Sequence, residues 1–263
     1  MRCGFIGAGN IGSAMIEGMI RSGRIDPGEI IVRDPISRDR ITETYGVRGA
    51  DALAELFEAD IIFVAVKPKD CPGVFAELAP SIDVDKHAIV SVAAGIGLDR
   101  IYEMLGGRRP VVRIMPNLNA RYCKSATAVC AGEAVSEITL GRVTELLDII
   151  GETYFIKEEH FGAFTALASC SPAFTYMYID ALARAAVRYG LDKKLAEKIA
   201  AQAVLGSAEL VGRSPAHPYE LVDMVCSPGG VTLEGVAELF ESGFTASVMR
   251  AVTACTGKKP NDA

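Results

Sequence analysis

The chain has 263 residues, enough for one large domain or two modest ones, and half of its residues are apolar. Its charge is mildly acidic, with 27 Lys and Arg against 33 Asp and Glu. This composition is that of an ordinary globular protein and excludes a disordered or collagen-like chain. It also disfavours a nucleic-acid partner, because no Lys/Arg cluster is longer than Gly107-Arg108-Arg109.

The cysteines and the longest uncharged stretch bear on where the protein works. Seven cysteines lie scattered without a C-x-x-C pair, which favours reduced thiols and a cytoplasmic protein. No secretory signal is expected, because several glycines and Glu17 interrupt the first apolar stretch. Phe161–Ile179 carries no charge, but Pro172 and several hydroxyl side chains interrupt it. We therefore expect this segment to lie in a helical core or a subunit interface and not in a membrane.

Residues 1–157 alternate short β-rich runs with helical patterns, which predicts an α/β domain with a Rossmann-type, mostly parallel sheet. The run Ile61–Val66 is continuously apolar, as expected for a strand buried on both faces. The predicted strands are Arg2–Ile6, Glu29–Arg33, Ile61–Val66, His87–Val92, Val111–Ile114, Thr127–Ala131 and Thr153–Ile156. The predicted helices between them include Ile11–Arg21, Cys71–Leu78, Leu98–Met104 and Ser136–Ile149.

Residues 158–263 lose the strand signal and become Ala-rich, which predicts a second, all-helical domain. Glycines punctuate the ends of several of its helices. The predicted helices are Phe161–Ser169, Pro172–Tyr189, Lys193–Val211, Pro218–Met224, Val231–Phe240 and Ala246–Cys255. The polar tail Gly257–Ala263 is expected to fray.

A glycine-rich motif, Gly7-Ala8-Gly9-Asn10-Ile11-Gly12, follows the first predicted strand and opens the first helix. In this strand–turn–helix context it predicts a dinucleotide site, with a plain structural turn as the alternative. Gly7 would allow the tight turn, Gly9 the close approach of the pyrophosphate, and Gly12 the packing of helix against strand. The helix N-terminus offers N–H groups and a positive dipole end to the phosphates.

The end of the second predicted strand bears on the choice between NAD and NADP. Asp34 could bind the ribose 2′-hydroxyl of NAD, or it could simply cap the turn before Pro35. Arg33, Ser37 and Arg38 could instead accommodate the 2′-phosphate of NADP. Because these three donors outnumber one carboxylate, the sequence favours NADP slightly and leaves NAD open.

Two further segments, Val66-Lys67-Pro68 and Ala93-Ala94-Gly95, follow predicted strands at their carboxyl ends. Ligands of open α/β sheets bind at that edge, so both segments are candidate cofactor-binding loops. The alternative is that both segments are ordinary loops, which would follow the strands at the same spacing.

Two serine–proline sequences in the helical part predict helix entries that could hold a small carboxylate. They are Ser171-Pro172 and Ser227-Pro228-Gly229-Gly230-Val231-Thr232. Each would offer backbone N–H groups and a positive dipole end, with ordinary capping as the alternative. The second is the better candidate, because its two glycines let a ligand approach the backbone.

Taken together, these motifs resemble the pyrroline-5-carboxylate reductases, which make proline, and the resemblance spans essentially the whole chain. The motifs are Gly7–Gly12, Ala65–Pro68, Ser91–Gly95, Arg113–Asn117, and, most specifically, His217-Pro218, Ser227–Thr232 and Glu241–Phe244. The resemblance implies the last step of proline biosynthesis, in which NAD(P)H reduces the cyclic imine 1-pyrroline-5-carboxylate to L-proline.

The resemblance also implies residue roles. Asn117 would belong to the cofactor site, and Gly229–Thr232 would hold the substrate carboxylate with Ser171 and Ser227 beside it. The Thr232 hydroxyl would touch the ring nitrogen as the catalytic residue. The helical domains of the family interlock as homodimers that often assemble further.

Two stretches depart from the family pattern. The family has Pro-Asn-Thr-Pro-Ala at 116–120, where Asn119 stands here, and glycines in place of Ser169 and Ser171. A reductase of another cyclic imine or keto acid therefore stays open, as does a non-catalytic nucleotide-binding protein. A hydroxyacid dehydrogenase is disfavoured, because no lysine lies between Glu158 and Lys193. No metal-ligand spacing and no catalytic triad are present, which suits an imine reduction whose cofactor supplies the hard step.

Overall fold

A computed structural model of the chain, describing residues 1–256, contains an eight-stranded sheet followed by helices. The predicted fraying of Gly257–Ala263 lies outside the described residues. The strands are β1 (Cys3–Ile6), β2 (Ile30–Arg33), β3 (Arg48–Gly49), β4 (Ile61–Val64), β5 (Ala88–Ser91), β6 (Val111–Met115), β7 (Ser125–Ala131) and β8 (Gly151–Phe155).

The strand order is β3-β2-β1-β4-β5-β6-β7-β8, and every pair is parallel except β6 with β7. The prediction of a Rossmann-type, mostly parallel sheet is confirmed. From β1 the chain adds β2 and β3 on one side of that strand, and it then returns to add β4 to β8 on the other side. Such a reversal leaves a crevice at the carboxyl ends of β1 and β4, which is where ligands of these sheets bind.

Helices cover both faces of the sheet and bury two apolar cores. At the centre of one core, the rings of Phe5 on β1 and Phe63 on β4 stack with centroids 4.7 Å apart. Burying each ring contributes about 1.5–3 kcal/mol, so this core holds the two strands that flank the crevice. The helices of this part are α1 (Asn10–Arg21), α2 (Arg38–Tyr45), α3 (Cys71–Leu78), α4 (Leu98–Met104) and α5 (Glu137–Asp148).

The chain divides into two compact units, residues 1–169 and a helical unit that begins at Cys170. The predicted boundary, residue 158, coincides with the start of the 3₁₀-helix Glu158–His160. The remaining helices are α6 (Phe161–Phe164), a π-helix (Thr165–Cys170), α7 (Ser171–Val187), α8 (Lys193–Arg213), α9 (Pro218–Val225), α10 (Val231–Glu241) and α11 (Phe244–Thr256). Nowhere in the described part of the chain is there a helix with the length and apolar character that crossing a membrane requires.

The helix entry predicted at Ser171-Pro172 is wrong. The segments α6, π and α7 follow one another without a break, and no side chain caps Ser171. Pro172 has no N–H to donate, so the carbonyl of Ala168, four residues earlier, loses its usual helical partner. That carbonyl instead accepts a hydrogen bond from Asn117 Nδ2 at 2.9 Å. The wider π-turn and this side-chain donor let the helix continue through the proline.

Candidate active site

The glycine-rich loop after β1 has the geometry that a pyrophosphate site requires. Gly7 has φ +95°, and a Cβ there would lie 2.7 Å from the backbone oxygen of Ala65. At Gly12 a Cβ would lie 2.4 Å from the carbonyl oxygen of Gly7, so only glycine lets α1 start this close to the strand. A Cβ at Gly9, by contrast, would meet no atom within 4 Å. Gly9 caps α1 without any side chain, so the open space above it faces uncapped N–H groups that suit a phosphate.

Asp34, directly after β2, is bonded to the glycine-rich loop. Its Oδ2 accepts the backbone N–H of Ala8 at 2.7 Å, and its Oδ1 accepts those of Ile36 at 2.8 Å and Ser37 at 2.6 Å. Burial alone would raise the pKa of this carboxyl, but these backbone hydrogen bonds outweigh it and hold the pKa below its usual value. Asp34 is therefore ionised at neutral pH and organises the turn, as the alternative interpretation of the sequence proposed.

The cations near this turn differ from those that the sequence suggested. Arg33 is bridged to Glu77 at 3.2 Å, and Arg38 pairs with Asp39 and Asp51. Arg40 was not among the predicted donors, and within the described residues it forms no ion pair. Its Nη2 lies 3.5 Å from Ser13 Oγ on α1, beside the glycine-rich loop.

Further segments continue the same edge of the sheet. Val66 lies against Gly7, with its Cγ1 3.0 Å from the position of an added Cβ. Lys67 is exposed and begins a short 3₁₀-helix at Pro68. After β5, Ala93 is buried, while Ala94 and Gly95 are exposed, with Gly95 at φ +75°. The structure thus brings together the predicted loops after β1, β2 and β4, and places the loop after β5 next in line.

Asn117, after β6, is almost fully buried and uses both ends of its side chain. Besides the bond to Ala168, its Oδ1 accepts the backbone N–H of Asn119 at 3.0 Å. Ser169, one of the departures from the family pattern, donates to the carbonyl of Pro116 at 3.4 Å. Asn117 therefore tethers the turn after β6 to the π-helix. No pattern in the sequence predicts this contact.

The predicted entry to α10 is a glycine-opened helix start in the structure. Gly230 caps the helix without a side-chain hydrogen bond, and Gly229 has φ +68°. A Cβ at Gly230 would lie 2.4 Å from Ser227 Oγ, so a larger residue there would force the serine hydroxyl to move. Thr232, the second residue of α10, is exposed. The first N–H groups of this helix and the Thr232 hydroxyl are thus available on one exposed turn.

Two of the three histidines, His87 and His217, have structural partners. Among residues 1–256 no three His, Cys, Asp or Glu side chains lie close enough to hold a metal ion. His217 Nδ1 accepts the N–H of Tyr219 and completes a capping box with Glu220 at the start of α9. His87 binds the carbonyl of Phe57 and the N–H of Asp83, so both histidines have structural roles.

Comparisons with known proteins agree with this layout. Residues 158–261 match the family model for pyrroline-5-carboxylate reductase dimerisation, and residues 2–95 match the one for coenzyme F420-dependent NADP oxidoreductases. The pyrroline-5-carboxylate reductase of Escherichia coli is 40% identical over 261 residues, covering 98% of this chain and 96% of that protein.

Solved structures agree as well. The reductase of Streptococcus pyogenes has a TM-score of 0.85 and 37% identity, covering 98% of this chain and 97% of that one. The pyrroline carboxylate reductase of Plasmodium falciparum, solved with NADP bound, has a TM-score of 0.88 and 28% identity, covering 98% and 96%. The chain belongs to the pyrroline-5-carboxylate reductase family.

Proposed function

We propose that this protein reduces 1-pyrroline-5-carboxylate to L-proline with NAD(P)H. The observation that carries the proposal is the uncapped, glycine-opened start of α10, which presents N–H groups and one hydroxyl to a small carboxylate. The dinucleotide would lie on Gly7–Gly12, with the loops at Val66–Pro68 and Ala93–Gly95 beside it. When bound, the nicotinamide supplies the hydride.

The chain's own residues bind and orient the imine. Within Gly229–Thr232 the Gly230 N–H is already donated to the Ser227 carbonyl at 2.9 Å. The other N–H groups of this turn hold the substrate carboxylate at the positive end of α10, next to Ser227. The Thr232 hydroxyl hydrogen-bonds the ring nitrogen as that atom gains electron density and its proton. A basic imine nitrogen arrives protonated or takes a proton from water, so the site does not need a paired acid and base. Ser171 remains a candidate substrate contact.

The assay that tests the function is oxidation of NADPH and NADH with pyrroline-5-carboxylate, beside a panel of other cyclic imines and 2-keto acids. We expect the highest kcat/KM with pyrroline-5-carboxylate. Turnover of another imine alone would make Asn119, Ser169 and Ser171 the candidates for changed specificity. Cofactor binding without any turnover would instead favour the non-catalytic interpretation.

NADP is the cofactor that we propose as preferred, with Arg40 as its 2′-phosphate contact in place of Arg33 and Arg38. A guanidinium without a carboxylate partner is free to bind a phosphate. Arg40→Gln is expected to lower kcat/KM for NADPH about tenfold and to leave NADH unaffected. Arg38→Gln is the matched control, because Arg38 is already paired with Asp39 and Asp51. An equal loss with both cofactors would remove Arg40 from the phosphate site.

A homodimer, or a larger homo-oligomer, is the proposed assembly. From Cys170 to Thr256 the buried apolar residues are only Ala183, Ala196 and Ala200. The same stretch exposes large apolar side chains and an apolar groove of about 220 Å³ lined by Tyr219, Leu239 and Phe244, among others. Surfaces of this kind mark interaction sites. All seven cysteines are free, which supports a cytoplasmic location.

A further inference from the structure

A partly buried ion pair joins three segments, one of which is the candidate cofactor-binding loop after β5. Arg113 on β6 has a side chain that is only 8% exposed, and its Nη1 lies 2.8 Å from Glu158 Oε1. The same Oε1 accepts the backbone N–H of Leu98, the first residue of α4, at 2.7 Å. Leu98 ends the loop that contains Ala93–Gly95. One carboxylate oxygen thus connects β6, the loop after β5 and the segment entering α6.

The start of α4 depends on Glu158 for its cap. The preceding residue, Gly97, caps α4 without a side-chain hydrogen bond, so Glu158 performs the capping from 60 residues away. A Cβ at Gly97 would lie 3.4 Å from Glu158 Oε1, an ordinary van der Waals contact, so the carboxylate lies directly beside this residue. Glu158 is therefore held through its side chain, which contacts both Arg113 and the start of α4.

The Arg113 guanidinium lies over an aromatic ring in addition to its ion pair. Its Cζ lies 4.3 Å from the ring centroid of Phe161, which is 2% exposed and packs against Met115 and Ala128. Arg113 Nε is buried and has no hydrogen-bond partner in the described part of the chain. A buried cation with an unsatisfied N–H is costly to the fold, and an apolar side chain of similar volume would often serve stability equally well.

We propose that Arg113 and Glu158 are positioning residues for the reduction. The Arg113–Glu158 tether fixes the Ala93–Gly97 loop against the segment that enters α6, and so fixes the part of the cofactor site that this loop forms. This inference rests on the proposed function. We expect the effect on kcat, because a displacement of about 1 Å at a reacting centre lowers turnover about 100-fold.

Arg113→Met is the variant that tests the tether without threatening the fold. Methionine replaces the buried stem, removes the orphaned N–H, and leaves Glu158 with a side chain that is one-third exposed to water. We expect kcat to fall about 50-fold while the Kd for NADPH stays within about twofold. Glu158→Gln, whose amide oxygen still accepts the Leu98 N–H, should lose only about fivefold. Glu133→Gln, in the exposed pair with Arg108, is the control and should change nothing.

Amide hydrogen exchange at Leu98 in the cofactor-free protein supplies a readout that does not depend on activity. Arg113→Met should speed exchange there at least about tenfold, with no change at β1. A lower melting temperature with unchanged kcat would reduce the pair to a structural role and overturn the proposal, as would unchanged exchange at Leu98. If the unaltered enzyme turns over no imine, the proposed function fails, and the exchange result alone decides whether the tether exists.

Discussion

Gly9→Val is expected to leave the protein folded and to weaken NADPH binding by at least about 100-fold, or roughly 2.8 kcal/mol. Gly9 has an ordinary φ of −66°, and a Cβ there meets no atom within 4 Å. The valine side chain would therefore occupy only the open space where the pyrophosphate approaches the backbone. Fluorescence titration with NADPH measures the loss.

The control for this variant is Gly141→Val on the exposed side of α5, where an added Cβ also meets nothing. It should bind NADPH normally, and its helix should gain about a few tenths of a kcal/mol, because valine has a higher helix propensity than glycine. Gly12→Val, whose Cβ would lie 2.4 Å from a backbone oxygen, should instead unfold the domain. Undiminished NADPH binding by folded Gly9→Val would move the pyrophosphate away from this loop.

Thr232→Ala is expected to reduce kcat about 100-fold with pyrroline-5-carboxylate and to leave the Kd for NADPH unchanged. The hydroxyl is the group at the start of α10 that can hydrogen-bond the ring nitrogen, whereas the carboxylate would be held by backbone N–H groups that the substitution preserves. Steady-state kinetics at saturating NADPH separate the two effects, because a lost transition-state contact lowers kcat and kcat/KM alike.

Thr232→Ser keeps the hydroxyl and should recover most of the rate, while Thr232→Val keeps the shape and should not. Because Thr232 is exposed at a helix start, none of these changes should alter the free energy of unfolding by more than about 0.5 kcal/mol. Full activity in Thr232→Val would exclude the hydroxyl from the chemistry.

Continuously apolar strands such as β4 could be predicted from the sequence, because a strand buried on both faces has apolar residues at every position. The glycine-rich loop was equally clear, since its spacing follows from strand, turn and helix geometry. The two-residue strand β3 carries no such run. Helix α2, which bears Arg40, buries only Ile41, so its amphipathic pattern is too weak to predict from the sequence.

The remaining features depend on contacts between distant residues. Pro172 follows a good capping residue, and local rules favour a helix start there. The helix continues because Asn117, 51 residues before Ala168, supplies the hydrogen bond that the proline cannot. The pairing of Arg33 with Glu77 and of Arg113 with Glu158 likewise depends on how strands are ordered in the sheet. Counting donors along the sequence could not anticipate which arginines stay unpaired.

Transfer of deuterium from the cofactor to the imine follows the hydride itself. Pyrroline-5-carboxylate would be incubated with the enzyme and NADPH, or NADH, deuterated at C4 of the nicotinamide, and the product analysed by mass spectrometry and NMR. We expect L-proline with one deuterium on the δ carbon, formed in the same amount as oxidised cofactor. Oxidised cofactor without labelled proline, or no reaction with this imine while another substrate is reduced, would contradict the proposed function.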